Sequence, residues 1–197
     1  YIDLSFQGFT GTLPTEIGAL KSAKYLSLYG CHFSGELPAS LGDLDQLEYL
    51  SAGLNDFSGE LPASLGSLKR IREIHISGNK LSGSIPASLG ALKTLQQLNL
   101  AGNQLTGTIP AELSQLEGLY VIDLSRNKLS GSIPTDFGGA QQELLLAANL
   151  SHNELTGSIP ARIKRYLPEA AKYAHIHGLP DYGYTMFVLS GNKLTGK

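Results

Sequence analysis

Apolar and polar positions alternate along this chain in one pattern that returns many times. From Ile71, Leu95 and Leu119 onward the sequence follows LxxLxLxxNxLxGxIPxxLxxL, with x mostly polar. The asparagine position recurs as Gln7, Cys31, Asn55, Asn79, Asn103, Asn127, Asn153 and Asn192. Its spacing is 24 residues five times, then 26, then 39, so the register is regular until the last copy is displaced. A fixed period of this length marks a solenoid, in which no copy buries its own apolar edge and each is stabilised by stacking on the next.

Each copy has a physical reading. In Ile74-His75-Ile76 the alternation turns two aliphatic chains inward and His75 to the opposite face, which predicts a short strand stacked in parallel on its neighbours. Asn79 is expected to point inward and satisfy backbone groups where the chain leaves the strand, with Cys31 and Gln7 keeping that orientation in the first two copies. Gly83 is expected to make a tight bend and Ile85 to return to the core. Pro86 presets φ for a short helical turn that Gly90 is expected to end in a left-handed conformation. The predicted fold is an α/β solenoid over residues 1–197, a single domain with a parallel sheet on one face and short 3₁₀ or α turns on the other.

Two columns of residues should share the open face of the sheet. One reads Asp3, Ser27, Ser51, His75, Asn99, Asp123, Asn149 and Val188, and is expected to be an exposed polar ladder. The other, just before the first core position, reads Tyr1, Tyr25, Tyr49, Glu73, Gln97, Val121, Ala147 and Met186. Tyrosines on successive rungs, with Tyr29, Phe6 and Leu54 nearby, suit either ligand contact or cross-strand stacking. Rungs about 4.8 Å apart make a face long enough for roughly ten residues of extended peptide.

Composition adds mainly exclusions. Hydrophobic residues make up 42% and the formal net charge is −2, which fits neither a disordered acidic tail nor a basic nucleic-acid binder. The strongest apolar runs, Leu144 to Leu150 and Met186 to Leu189, fall far short of the roughly 18 residues a membrane span needs. Cys31 is the only cysteine, expected to be a buried structural thiol. No phosphate-cradling loop, HExxH or GxSxG motif is present, so no cofactor is expected. Ser51 beside His75 suggests a nucleophile and base, but the next rung supplies Asn99 rather than an acid to orient the ring, so no catalytic residue is assigned. His175, His177 and Asp181 have metal-ligand types, but no element fixes them and no metal is assigned.

The segments Leu81-Ser82-Gly83-Ser84-Ile85-Pro86 and Leu129-Ser130-Gly131-Ser132-Ile133-Pro134 resemble plant-type leucine-rich repeats, as found in receptor-like kinase and receptor-like protein ectodomains and in polygalacturonase-inhibiting proteins. The resemblance implies a right-handed superhelix with the main sheet concave, a second short sheet at the LxGxIP segments, and an extracellular or cell-surface setting. It also implies a recognition module that binds a peptide or protein. An inhibitor of the polygalacturonase-inhibitor type and an assembly subunit are the alternatives, since the flanking cysteine pairs of the class are not in the chain. Irregular residues 162–185 resemble the island of such receptors, and both ends falling within repeats lead us to expect a piece of a longer protein. The expected ligand-binding residues are Tyr1, Asp3, Tyr25, Tyr29, Tyr49, Glu73, His75, Asn99, Asp123 and Arg126. Asn149-Leu150-Ser151 is the one glycosylation acceptor expected.

Overall fold

The computed structural model describes residues 1–142, 145–161, 163 and 187–195. Among the described residues, thirteen short strands are interspersed with 3₁₀ turns. The main sheet contains β1 (Ile2–Asp3), β3 (Tyr25–Ser27), β5 (Tyr49–Ser51), β7 (Glu73–His75), β8 (Gln97–Asn99), β9 (Val121–Asp123), β11 (Ala147–Asn149) and β13 (Phe187–Val188). These strands lie in chain order and all pair in parallel. A second face carries β2 (Thr10–Thr12), β4 (His32–Glu36) and β6 (Asp56–Ser58) in one sheet, and β10 (Ser130–Ser132) with β12 (Glu154–Thr156) in another. Isolated bridges Glu60 to Ser82, Ser84 to Thr106 and Ser158 to Thr195 extend this second ladder along the solenoid.

The central residue of each three-residue strand of the main sheet points into the core. Leu26, Leu50, Ile74, Leu98, Ile122 and Ala148 are at most 1% exposed, and they belong to one continuous cluster with the leucines of the 3₁₀ turns. Burying each leucine or isoleucine there is worth about 1.5–3 kcal/mol, realised only when the neighbouring copy is present. The inward asparagines join consecutive copies. Asn79 Oδ1 accepts the Phe57 amide at 3.0 Å, while its Nδ2 donates to the carbonyls of Ala52 (3.0 Å) and Ile76 (3.3 Å). Asn55, Asn103, Asn127 and Asn153 repeat this arrangement. Cys31 is buried, and its thiol donates to the Leu4 carbonyl at 3.1 Å.

Two local expectations are corrected. Gln7 does not point inward: it is exposed, and its side-chain amide donates to the Ser5 carbonyl at 3.2 Å. Its extra methylene makes it longer than the asparagine that fits this place in the later copies. Gly90 does not end its turn in a left-handed conformation. It lies inside the Ala87–Ala91 turn, which ends at Leu92 with φ −79° and ψ 72°. Glycine is needed there for close approach, because a methyl group on Gly90 would sit 2.5 Å from the Glu112 carbonyl oxygen of the next turn. Gly66 meets the Ser88 carbonyl in the same way. Gly83, by contrast, bends at φ 71° as its position predicts.

After β11 the main ladder continues with β13, which places Val188 beside Asn149 and Phe187 beside Ala148. Of the irregular segment 162–185, all but Ile163 lies outside the described residues, as do Met186 and the His175, His177 and Asp181 group.

Candidate functional site on the concave face

The outward residues of the main sheet form rows that follow from strand spacing alone. Strands about 4.8 Å apart hold side chains of successive rungs at nearly the separation of stacked rings. Tyr1 and Tyr25 stack with centroids 4.2 Å apart and planes within 9°, and Tyr25 and Tyr49 with 4.4 Å and 2°. The row ends against His75, whose ring lies 5.5 Å from Tyr49. The hydroxyl hydrogen bond to Tyr25, then slight desolvation, raises the pKa of Tyr1. Burial is the first cause that raises Tyr25.

The polar column is less uniform than the sequence suggests. Ser27 and Ser51 are each only 3% exposed, so the ladder is not exposed at these rungs. Each serine shares its strand face with a much larger tyrosine two residues earlier, and it forms the floor between larger walls. Ser27 Oγ bonds to Ser5 Oγ at 2.7 Å. Tyr25 and Tyr49 on one side and Tyr29 on the other bound a groove of about 390 Å3 with this serine floor. Tyr29 meets Phe6 edge-on at 5.4 Å and leans over Gly53.

His75 closes this groove and also opens a second recess of about 180 Å3, lined by Gln97, Asn99, Val121, Asp123, Ala147 and Asn149. The acid that orients His75 is on its own strand: Glu73 Oε2 lies 3.0 Å from His75 Nε2. An acid search restricted to the next rung misses it, although i, i+2 spacing on a strand was a sufficient signal. Among the described residues no hydrogen bond couples Ser51 to the imidazole.

Most of the Asp and Asn side chains of the column also shape the strand exits. Asp3 accepts the Ser5 amide at 2.9 Å, Asn99 that of Ala101 at 3.1 Å, and Asp123 that of Ser125 at 2.9 Å. The Ser5 hydrogen bonds hold the Asp3 carboxyl below its usual pKa. Asn149 Oδ1 accepts from the Ser151 hydroxyl at 2.7 Å, and its Nδ2 donates to Asp123 at 3.3 Å.

Arg126 is exposed at the edge of this face, in a column that sequence reasoning did not single out. Its backbone is left-handed (φ 55°), as are Phe6 (57°), Leu54 (50°) and His152 (54°), whereas Gly30, Gly78, Gly102 and Gly191 occupy the same place in the other copies. The signal was available as glycine just before the asparagine position in four of the eight copies. Side chains lie along the row, Phe6 over Gly30 and Leu54 over Gly78, so the apolar groups Phe6 and Leu54 stay 71% and 51% exposed. Among the described residues no helix is long and apolar enough to cross a membrane, and no group of three metal-ligating side chains forms.

The fold and the rows just described define a parallel-sheet solenoid with an open, chemically varied concave face. Residues 3–150 match the leucine-rich repeat region family, and the chain belongs to that family. No curated protein matches the sequence. Among solved structures it is similar to the plant peptide hormone receptor RGFR1 in complex with RGF2, at 30% identity and TM-score 0.80 over 94% of this chain and 27% of that one. It is similar also to the Arabidopsis receptor kinase HAESA ectodomain in complex with an IDA peptide hormone, at 37% identity and TM-score 0.74 over 78% of this chain and 26% of that one. A third neighbour is a plant ice-binding protein, at 25% identity and TM-score 0.74 over 100% of this chain and 64% of that one. The chain thus spans about a quarter of the length of the two receptor chains.

Proposed function

We propose that this chain is a recognition module that binds a peptide or protein ligand along its concave face, in an extracellular or cell-surface setting, and does not catalyse a reaction. The observation that carries the reading is the pair of recesses that meet at His75, one aromatic-walled and one amide-lined, along an unbroken sheet of eight strands. Such a surface offers rigid tyrosine contact area and hydrogen-bonding side chains in one line. The peptide hormones bound by RGFR1 and HAESA support it. Panning a random 12-residue peptide library on the folded chain, then titrating a selected peptide by calorimetry, tests the proposal. Tyr49→Ala and Asn99→Ala should each weaken the selected peptide, and the turn variant Lys69→Ala should not. Selected peptides that ignore both concave changes would overturn it.

A second reading is favoured by one other observation. The second face carries Ser/Thr-Gly-Ser/Thr in most of its rungs, and a solved neighbour that aligns over 100% of this chain is a plant ice-binding protein. On this reading the chain adsorbs to ice, and thermal hysteresis of the purified chain is the direct measurement.

A further inference from the structure

The second face is built differently from the concave one. Its rungs from the fourth onward read Ser82-Gly83-Ser84, Thr106-Gly107-Thr108 and Ser130-Gly131-Ser132, and they continue to Thr156 and Ser158. The first hydroxyl of each tripeptide donates to a glycine carbonyl of the rung before it: Ser82 to Gly59 at 3.3 Å, Thr106 to Gly83 at 3.3 Å, Ser130 to Gly107 at 3.4 Å. The same weak bond in each copy turns these hydroxyls the same way and leaves their oxygens able to accept from water.

The glycines keep this face low. Gly83, Gly107 and Gly131 have φ of 71°, 75° and 73°, and the second side chain of one rung lies over the glycine of the next, as Thr108 does at Gly131. Ser84, Thr106, Thr108 and Ser132 are exposed. Register pairs Ser84 with Thr106 and Ser132 with Thr156, so the hydroxyls form a staggered net rather than isolated groups. Its steps are about 4.8 Å between rungs and roughly 6.7 Å between alternate residues of a strand. The oxygen net of an ice prism face repeats on the same scale. Charged side chains, which hold their own hydration water, stand at Glu36 and Glu60 in the second and third rungs and otherwise along one border of the net, at Lys80, Lys128 and Glu154, the last paired in register with Ser130. The concave face has no such regularity, since its rungs change from tyrosine to glutamate, histidine, amide and aspartate.

We infer that the Ser/Thr net from Ser82 to Ser158 is an ice-binding surface, an inference that rests on the second reading above and adds the face that touches ice. It would order water where the lattice is already half drawn by the protein, at little cost in side-chain freedom. The experiment uses the whole chain, with ice partitioning and thermal hysteresis as readouts and a circular-dichroism melt as the folding check. The wild type is expected to partition into a slowly growing ice front. Thr108→Lys with Ser132→Lys should abolish this, while Thr108→Val, which keeps the methyl group and replaces the hydroxyl with a second methyl, should reduce it. Lys69→Ala in an exposed turn should leave it unchanged. A wild type that stays in the liquid overturns the ice-binding reading altogether. A wild type that partitions equally well with both lysines in place overturns the face while leaving that reading intact.

Discussion

Glu73 and His75 face each other on one strand, carboxylate oxygen to imidazole nitrogen at 3.0 Å, with side chains 30% and 23% exposed. A pair that is still partly open to solvent contributes only about 0–1 kcal/mol to folding. Its consequence is positional, since His75 lines both recesses of the concave face. His75→Ala is expected to weaken the panned peptide by about 1–2 kcal/mol, as a central contact should. Glu73→Gln keeps the shape and a hydrogen-bonding side chain, and should cost less than half of that. Calorimetry on both variants checks the order; a larger loss for Glu73→Gln would mean that the carboxylate itself meets the ligand.

The tyrosine row separates contact from stacking. Tyr25 lies between Tyr1 and Tyr49, so Tyr25→Ala removes two stacked pairs, each worth about 0.5–1.5 kcal/mol beyond area burial. Stability should therefore fall together with ligand affinity. Tyr25→Phe retains the rings and should leave the thermal melt nearly unchanged. Loss of affinity in Tyr25→Phe would assign the contact to the hydroxyl, and full affinity would assign it to the ring edge or to the stack alone.

The alternation in Ile74-His75-Ile76, the inward asparagines and the bend at Gly83 were legible because each answers a local requirement of the backbone that recurs in every copy. Gly90 was misread because its role is set by the Glu112 carbonyl of the next turn, a contact that the residue's own turn does not announce. Ser27 and Ser51 were misread for a related reason: whether a small residue is exposed depends on the size of its neighbours in three dimensions. The ligand-binding role proposed for the concave residues is not written in repeat periodicity, because the same period supports any set of outward side chains.

Asn149 gives a prediction about masking. Its amide group bonds Ser151 and Asp123 and lines the amide recess. Attachment of a sugar to Asn149 Nδ2 is expected in secreted material and would replace one of the two hydrogens on the nitrogen that donates to Asp123. Intact mass of secreted chain should show one glycan, absent from Asn149→Gln. Ligands of the aromatic groove should bind both forms equally, whereas a ligand reaching Asp123 should prefer the unglycosylated one. A secreted chain of unmodified mass refutes the masking.

Close approach of the turns predicts the size of a small change. Gly90→Ala places a methyl group 2.5 Å from a backbone oxygen, where no flexible side chain can yield, so the fourth and fifth turns must separate. Overpacking of this kind costs about 1–3 kcal/mol. Chemical denaturation should show the loss without a change in the concave tyrosine rows. Gly102→Ala gives a useful contrast, since its nearest contacts are 3.6 Å away and its cost arises from φ 65° alone. A smaller loss for Gly102→Ala, about 1 kcal/mol, is expected.

Cys31 offers a test in the opposite direction. In later copies the asparagine at this place accepts an amide 22 residues earlier, as Asn55 does from Phe33 at 3.1 Å, and donates to a carbonyl 27 residues earlier, as to Leu28 at 2.8 Å. Counting back from Cys31 gives the Phe9 amide and the Leu4 carbonyl. The thiol reaches Leu4 at 3.1 Å, but sulfur is a weak donor and a weaker acceptor. Cys31→Asn should supply both bonds with groups of the right strength, each worth about 0.5–1.5 kcal/mol. The expected result is a higher melting temperature, with the first rung gaining most in amide-exchange protection at Phe9. Cys31→Ala should lower stability instead, because it removes the existing bond to Leu4 and leaves a small void. If Cys31→Asn destabilises the chain as much as Cys31→Ala, the first rung does not share the geometry that makes asparagine favourable in the others.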